Sequence, residues 1–168
     1  LVFATVAALR LTEEWGMSYA ALIPYATPGF IAFGICAIPA GWIADKWSRE
    51  GMMSVFFVGI GASAVFAGMA DNPVEIAVSL ALIGVFAAIY HPVGLAMVVE
   101  GRENTGMALA INGVFGNMGV ATAALLTSVL IDSTGWRSAY FVPGAVLIRS
   151  AVFTFGLFFK TAKNGRAR

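Results

Sequence analysis

Nearly all the charged residues of this chain lie in short breaks between long apolar runs, and this alternation constrains the fold more than any other feature. A helix needs about 20 apolar residues to cross the hydrocarbon core of a bilayer. The amino-terminal run is too short for that and indicates the end of a cut helix. We therefore predict five full membrane spans and one partial span, at residues 1–9, 18–44, 53–70, 74–99, 107–131 and 138–159, followed by the start of a basic loop at 160–168.

The composition excludes most other classes of protein. Sixty per cent of the 168 residues are hydrophobic and 11% are charged, whereas soluble domains average about 45–50% and about 25%. The net charge of +1 argues against a nucleic-acid partner. With one cysteine, Cys36, and one histidine, the sequence predicts no disulfide, metal site or other cofactor. Because membrane β-barrels use alternating segments of about ten residues, we predict an all-α membrane protein.

Lysine and arginine are divided unequally between the two sides of the predicted bundle. Alternate breaks face the same side, and cytoplasmic loops carry an excess of these residues. One side has only Arg10 and Arg137. The other side has Lys46, Arg49, Arg102, Lys160, Lys163, Arg166 and Arg168. We therefore predict a multi-pass protein of the cell (inner) membrane with loops 45–52 and 100–106 and the carboxy-terminal tail in the cytoplasm.

The break between the second and third spans is a dense group of opposite charges. Residues 41–52 read Gly-Trp-Ile-Ala-Asp-Lys-Trp-Ser-Arg-Glu-Gly-Met. This segment resembles the cytoplasmic loop signature of the major facilitator superfamily, Gly-x-x-x-Asp-(Arg/Lys)-x-Gly-(Arg/Lys)-(Arg/Lys). Ser48 and Glu50 depart from it, because the family usually has glycine and a basic residue there. The residues that match are Gly41, Asp45, Lys46 and Arg49.

The resemblance covers essentially the whole chain and implies the amino-terminal six-helix half of a transporter, truncated within its first helix. It implies two three-helix repeats of inverted topology within this half. It also implies a gating loop that locks two halves together in the outward-open state, with Asp45 as its acidic residue and Lys46 and Arg49 as its basic ones. The implied partners are a small-molecule solute, the lipid bilayer and a carboxy-terminal six-helix half of the same protein.

Two further segments, 88–94 and 111–117, are similar to a branch of the superfamily that includes fosmidomycin-resistance-type exporters. Many proton-coupled members carry an arginine on the fourth helix, four residues before a glycine, but here Leu80 precedes Gly84 at that spacing. Antiporters often carry a Gly-Pro pair late in the fifth helix, and here that pair is Ala123-Ala124. The resemblance therefore does not specify proton antiport.

Arg149 is the clearest ionisable residue inside a predicted span. It lies 11 residues before Lys160 and 12 after Arg137, which is about 16–18 Å from either end of the helix. Ionisable groups at such depth are costly and usually functional. We interpret Arg149 as a substrate or coupling residue. A structural hydrogen bond to the carbonyls of a neighbouring helix, and an arginine tolerated without a role, are the alternatives.

His91 and several neutral polar residues lie on the other spans. Asn112 lies at a depth similar to that of His91, so a hydrogen bond between them is geometrically allowed. Because imidazole titrates near neutral pH, His91 is a candidate proton carrier, although a buried neutral histidine satisfied by one neighbour explains it equally well. Asn117 is a candidate neighbour of Arg149. The remaining candidate substrate contacts are Tyr25 and Thr27.

Small residues form a narrow stripe on the fifth span. Asn112, Gly116, Gly119 and Ala123 follow one another at helical spacing, and Gly113 begins a neighbouring stripe. Small residues let the backbones of membrane helices approach closely. The stripe therefore predicts either static helix packing or the rocking surface of a transporter.

These observations favour secondary active transport of a small solute, anionic or drug-like, by alternating access. A fixed positive charge at Arg149 favours an anion. A membrane enzyme would need a nucleophile, a metal cluster or paired acids at depth, and the spans provide none of these. The alternative is a non-transporting receptor or an assembly half that dimerises.

Overall fold

Long helices account for most of the chain. The computed structural model describes residues 2–165, with the backbone alone at positions 4, 7, 8 and 153–165. Helix α1 consists of Val2–Val6, a π-helical turn at Ala7–Leu11 and Thr12–Glu14. The others are α2 (Tyr19–Lys46), α3 (Arg49–Gly68), α4 (Pro73–Val99), α5 (Thr105–Thr134) and α6 (Ser138–Gly165).

The all-α class is confirmed, and no strand occurs within residues 2–165. Helices α2, α3, α4 and α5 are each long and apolar enough to cross a membrane. In α6 the apolar part with described side chains is Ser138–Val152. Its backbone stays helical to Gly165, beyond the predicted end at 159, so the first residues of the predicted basic loop continue the helix. The last three residues of that loop lie outside the described range.

Each of the helices α2 to α5 begins at a polar side chain that caps it. The side-chain oxygens of Ser18, Ser48, Asn72 and Asn104 accept hydrogen bonds of 3.0–3.2 Å from the backbone N–H three residues later. Such caps satisfy N–H groups that the first turn of a helix leaves free. Gly135, with φ +92°, ends α5 in a conformation that residues with a side chain rarely adopt. The breaks in the apolar pattern are therefore real helix ends.

The helices pack as two inverted triplets. Helix α2 packs on α4, as α1 packs on α5. Helix α3 also packs on α4, as α1 packs on α6. The most extensive contact is between α3 and α6. If α1 is exchanged with α4, α2 with α5 and α3 with α6, the contacts of each pair convert into one another. The contact between α3 and α6 stays the same. The chain directions are opposite, because α1 and α4 end at opposite ends of the bundle. The contacts thus support the inverted repeats implied by the resemblance.

Glycines sit where these helices come closest. A Cβ at Gly84 in α4 would overlap the carbonyl oxygen of Gly29 in α2, and a Cβ at Gly29 would lie 2.7 Å from the carbonyl oxygen of Leu80. Where α3 crosses α6, a Cβ at Gly61 would lie 2.8 Å from the carbonyl oxygen of Gly144. Small residues at such crossings let van der Waals contact between backbones stabilise a membrane bundle.

The predicted packing residues Gly113, Gly116 and Gly119 contact no other helix of this bundle within the described residues, so their role in packing stays a prediction. A Cβ at any of the three would meet no described atom within 4 Å. The physical reason is the position of α5, which lies at the edge of the bundle and contacts other helices mainly near its ends. In the most apolar stretch of α5 only 11% of the residues are buried, and in that of α2 only 6%, against 44% in α3. Helices α2 and α5 therefore present open faces.

Candidate gate and solute-facing site

The opposite charges of the signature segment form an ion-pair cluster at one end of the bundle. The Arg49 guanidinium lies 3.5 Å from Asp45 Oδ1 and 3.4 Å from Glu100 Oε2. We call Asp45, Arg49 and Glu100 the Arg49 cluster. It ties the end of α2 and the start of α3 to the residue that follows α4. The Asp45 side chain is 71% exposed, so its carboxylate can accept a further partner.

The two departures from the family signature form part of a helix cap. Only Trp47 and Ser48 connect α2 to α3, and Ser48 is extended, with φ −171°. A residue with this backbone does not need to be glycine. The Ser48 hydroxyl accepts a hydrogen bond from the backbone N–H of Gly51 and donates one of 2.8 Å to Glu50 Oε2. Serine and glutamate here stabilise the start of α3.

The other two signature residues contact aromatic and proline rings. The Lys46 ammonium lies 4.1 Å from the centre of the Trp42 ring, an arrangement typical of a cation–π contact. Lys46 is therefore outside the Arg49 cluster. At Gly41 a Cβ would lie 3.2 Å from Pro92 Cβ. Gly41 thus lets α2 lie close to a distorted part of α4.

That distorted part is a π-helical turn at Tyr90–Gly94. Pro92 has no N–H to donate and its ring clashes with the preceding turn of a regular helix. A wider turn accommodates it, and such turns are frequent at functional sites. His91 therefore lies on the part of α4 where the backbone is least regular.

The structure pairs Tyr90, and not His91, with Asn112. The Tyr90 hydroxyl donates a hydrogen bond of 2.8 Å to Asn112 Oδ1. Adjacent residues of a helix point in different directions, so only one of the two can face α5. His91 is exposed and packs edge-on against the rings of Phe33 and Tyr90, with centroid distances of 5.6 and 5.9 Å. The considered His91–Asn112 hydrogen bond is not formed, and His91 is not buried.

The other predicted substrate residues are spread over the bundle. Tyr25 is half-buried and packs against the apolar core formed by α1, α3, α4, α5 and α6, whereas Thr27 is exposed. Asn117 on α5 and Arg149 on α6 are both exposed, and neither forms a hydrogen bond or ion pair with another described residue. The considered pair of Asn117 and Arg149 is therefore not formed in this bundle.

An apolar cleft of about 390 Å³ lies between α1, α2 and α4. Its walls include Phe3, Phe30, Phe33 and Ile83. Phe33 also contacts the His91 ring. The cleft and His91 are therefore neighbours, an arrangement that can hold an apolar group beside a polar one.

Sequence reasoning missed Tyr90 and Glu100 as site residues. Glu100 could have been found, because it is an acidic residue in a break predicted on the same side as Arg49. Tyr90 could not have been preferred over His91, since the choice depends on the rotation of α4 about its own axis.

The sequence profile of the Major Facilitator Superfamily matches residues 1–168. A gallate transporter of Pseudomonas putida is 29% identical over 136 residues, or 80% of this chain and 30% of that protein. A puromycin resistance protein of Streptomyces alboniger is 28% identical over 85% of the chain and 29% of its own length. A probable sulfoacetate transporter of Cupriavidus necator is 25% identical over 98% of the chain and 38% of its own length. The chain spans roughly a third of the length of these curated relatives.

Proposed function

Since the chain belongs to the major facilitator superfamily, we propose that it forms one half of a secondary transporter that moves a small solute across the membrane by alternating access. The protein is an integral, multi-pass membrane protein. The second half would be a further six-helix bundle that covers the open faces of α2 and α5.

The observation that carries the proposal is the position of the polar side chains. Asn112 is half-buried, and His91 and Asn117 are exposed, on α4 and α5 at membrane depth. Exposure of such groups to lipid is unfavourable. They therefore need a water-lined cavity or a second set of helices in front of them. Central cavities between two bundles provide both.

The sidedness follows from the positive-inside distribution. We propose that the Arg49 cluster and the start of α5 face the cytoplasm, because the associated loops and the tail carry most of the lysine and arginine. Asp45 would then bind the second half when the cytoplasmic end is closed.

The solute we propose is a small organic anion that carries an apolar group. Similar proteins are named for gallate and for sulfoacetate, and another for puromycin resistance. Arg149 provides a fixed positive charge without a described ion-pair partner. The apolar cleft beside His91 would accept the apolar group of the solute.

The test is uptake by the complete transporter reconstituted in proteoliposomes. We expect saturable accumulation of at least one member of a panel of radiolabelled aromatic carboxylates and small sulfonates. Binding of such a solute without movement across the membrane would contradict transport and would favour the receptor alternative. Assembly as a dimer of this half alone, without a second half, would favour the other alternative.

If His91 carries a coupling proton, we expect His91→Gln to abolish accumulation driven by a pH gradient while solute exchange at equal pH continues. Glutamine keeps a polar side chain but cannot be protonated near neutral pH. The measurement compares gradient-driven uptake with counterflow in the same vesicles. Counterflow is the internal control, because a variant that has lost its solute site fails in both assays. Gradient-driven accumulation that survives in His91→Gln would place the coupling group elsewhere.

A further inference from the structure

The end of the bundle opposite the Arg49 cluster carries a second set of ion pairs. Arg137 Nη2 lies 2.7 Å from Asp71 Oδ1, and Nη1 lies 3.3 Å from Glu14 Oε1. Nη2 also donates a hydrogen bond of 3.2 Å to the carbonyl oxygen of Ala70. We call Glu14, Asp71 and Arg137 the Arg137 cluster. It ties together the end of α1, the link between α3 and α4, and the start of α6.

An apolar layer lies directly beneath this cluster. The Arg137 guanidinium lies 4.5 Å from the centre of the Trp136 ring, and the indole N–H of Trp136 donates to Glu14. Trp136 is 4% exposed and packs edge-on against Trp15 and Tyr140. This layer holds the end of the bundle together by apolar burial. The ion pairs above it are exposed, and exposed pairs contribute little to folding stability.

The two clusters correspond under the exchange of helices that relates the two triplets. Arg49 is the first residue of α3, and Arg137 immediately precedes α6. Arg49 pairs with an acid just after α4, and Arg137 pairs with the acid that ends α1. An aspartate also precedes each arginine near the end of the previous helix, Asp45 near the end of α2 and Asp132 near the end of α5. Asp132 differs in pairing with Arg10, at 3.7 Å.

Both members of the exchanged pair α1 and α4 also contain a π-helical turn close to their carboxyl-terminal ends, at Ala7–Leu11 and Tyr90–Gly94. The equivalence therefore includes backbone geometry as well as charge. Each end of the bundle has an arginine that joins the start of one helix, α3 or α6, to the end of a helix with a π-helical turn, α4 or α1.

We propose that the Arg137 cluster is a second gate element, which stabilises the state closed at its own end and so opposes the Arg49 cluster. This inference rests on the proposed alternating access between two halves. To close one end, the segments that connect the helices there must present a single rigid surface to the second half. Charge-assisted hydrogen bonds to Arg137 hold three such segments together: the end of α1, the link between α3 and α4, and the start of α6. Because the two states differ in which end is closed, weakening one cluster shifts the population toward the state closed at the other end.

The experiment measures access to each end of the complete transporter in vesicles of known orientation. In a background with Cys36→Ser, reporter cysteines are placed at two exposed positions, Tyr19→Cys at the start of α2, at the Arg137 end, and Met107→Cys at the start of α5. Labelling rates with a membrane-impermeant maleimide report which end is open.

We expect Arg137→Gln to raise labelling at position 19 and lower it at position 107, and Arg49→Gln to do the reverse, each by roughly threefold, as a modest population shift would produce. The double variant should lie between the two. Arg102→Gln, which removes an exposed arginine outside both clusters, should change neither rate. Arg137→Lys keeps the positive charge and should therefore change the labelling rates less than Arg137→Gln does.

Loss of folding is monitored by gel filtration of each purified variant, and Asp71→Asn, which removes one of the two acidic partners of Arg137, provides a second probe that should shift labelling in the same direction as Arg137→Gln. A shift of Arg137→Gln in the same direction as Arg49→Gln, or no shift at all, would overturn the inference. If the labelling rate at neither reporter changes with solute in the transporter without gate substitutions, the result contradicts the proposed alternating access itself. Such a result is distinct from one that contradicts only the role of the Arg137 cluster.

Discussion

We expect the Gly84→Val variant to lose its fold, because a Cβ at position 84 would overlap the carbonyl oxygen of Gly29 on the adjacent helix. A backbone atom cannot move aside as a flexible side chain can. Overpacking of a well-packed core costs about 1–3 kcal/mol, and separation of α2 from α4 should exceed that range. The measurement is the yield of monodisperse complete transporter in gel filtration, together with its thermal unfolding.

Ala145→Val is the control for this prediction. It also introduces valine within a long helix, but Ala145 is exposed and lies on α6, outside the open faces of α2 and α5. The difference between the two variants therefore separates the cost of the helix crossing from a general effect of valine within a helix. Equal yields and equal unfolding temperatures would contradict the packing of α2 against α4.

We expect Asp45→Asn to reduce solute transport by about tenfold, a change within the range of coupling free energies between sites. The Asp45 carboxylate is largely exposed, and among the described residues it pairs with Arg49 alone, which keeps its second partner, Glu100. Folding should therefore be nearly unaffected. Loss of the negative charge removes the group that we propose binds the second half. The measurement is the initial rate of uptake, normalised to the amount of folded protein.

Glu50→Gln is the control for Asp45→Asn. It also neutralises an exposed acid in the same segment, but the Glu50 carboxylate accepts only the Ser48 hydrogen bond within the described structure. Uptake should stay close to that of the unmodified protein. Unchanged uptake in Asp45→Asn would remove this residue from the gate.

The helix ends were predictable because their causes are local. Ser48 and Asn104 each lie in a charged break of the apolar pattern, and each can cap the helix that begins after it. Asn72 is followed by Pro73, a combination typical of a helix start. These signals need no knowledge of the neighbouring helices. At 159 the sequence predicts the end of the membrane span and not of the helix, and the backbone of α6 stays helical to Gly165.

The candidate site was predictable only in part. The Arg49 cluster could be expected from adjacent opposite charges, and Asp45 and Arg49 do meet. Lys46 has a similar charge and a neighbouring position, yet it lies over Trp42. Consecutive residues on a helix point about 100° apart, so the rotation of α2 decides which of them reaches the cluster.

The sequence by itself determined the all-α class, the order of the long apolar helices along the chain, and the family to which the chain belongs. Transfer of an apolar run into lipid depends on that run alone. Only the tertiary structure decided that Gly84, and not Gly116, lies at a helix crossing of this bundle. It also decided that Tyr90 donates the hydrogen bond to Asn112, and that Arg137 pairs with two carboxylates distant in sequence. In a membrane, both the lipid-facing and the buried sides of a helix are apolar, so the pattern of residues does not specify the rotation of the helix.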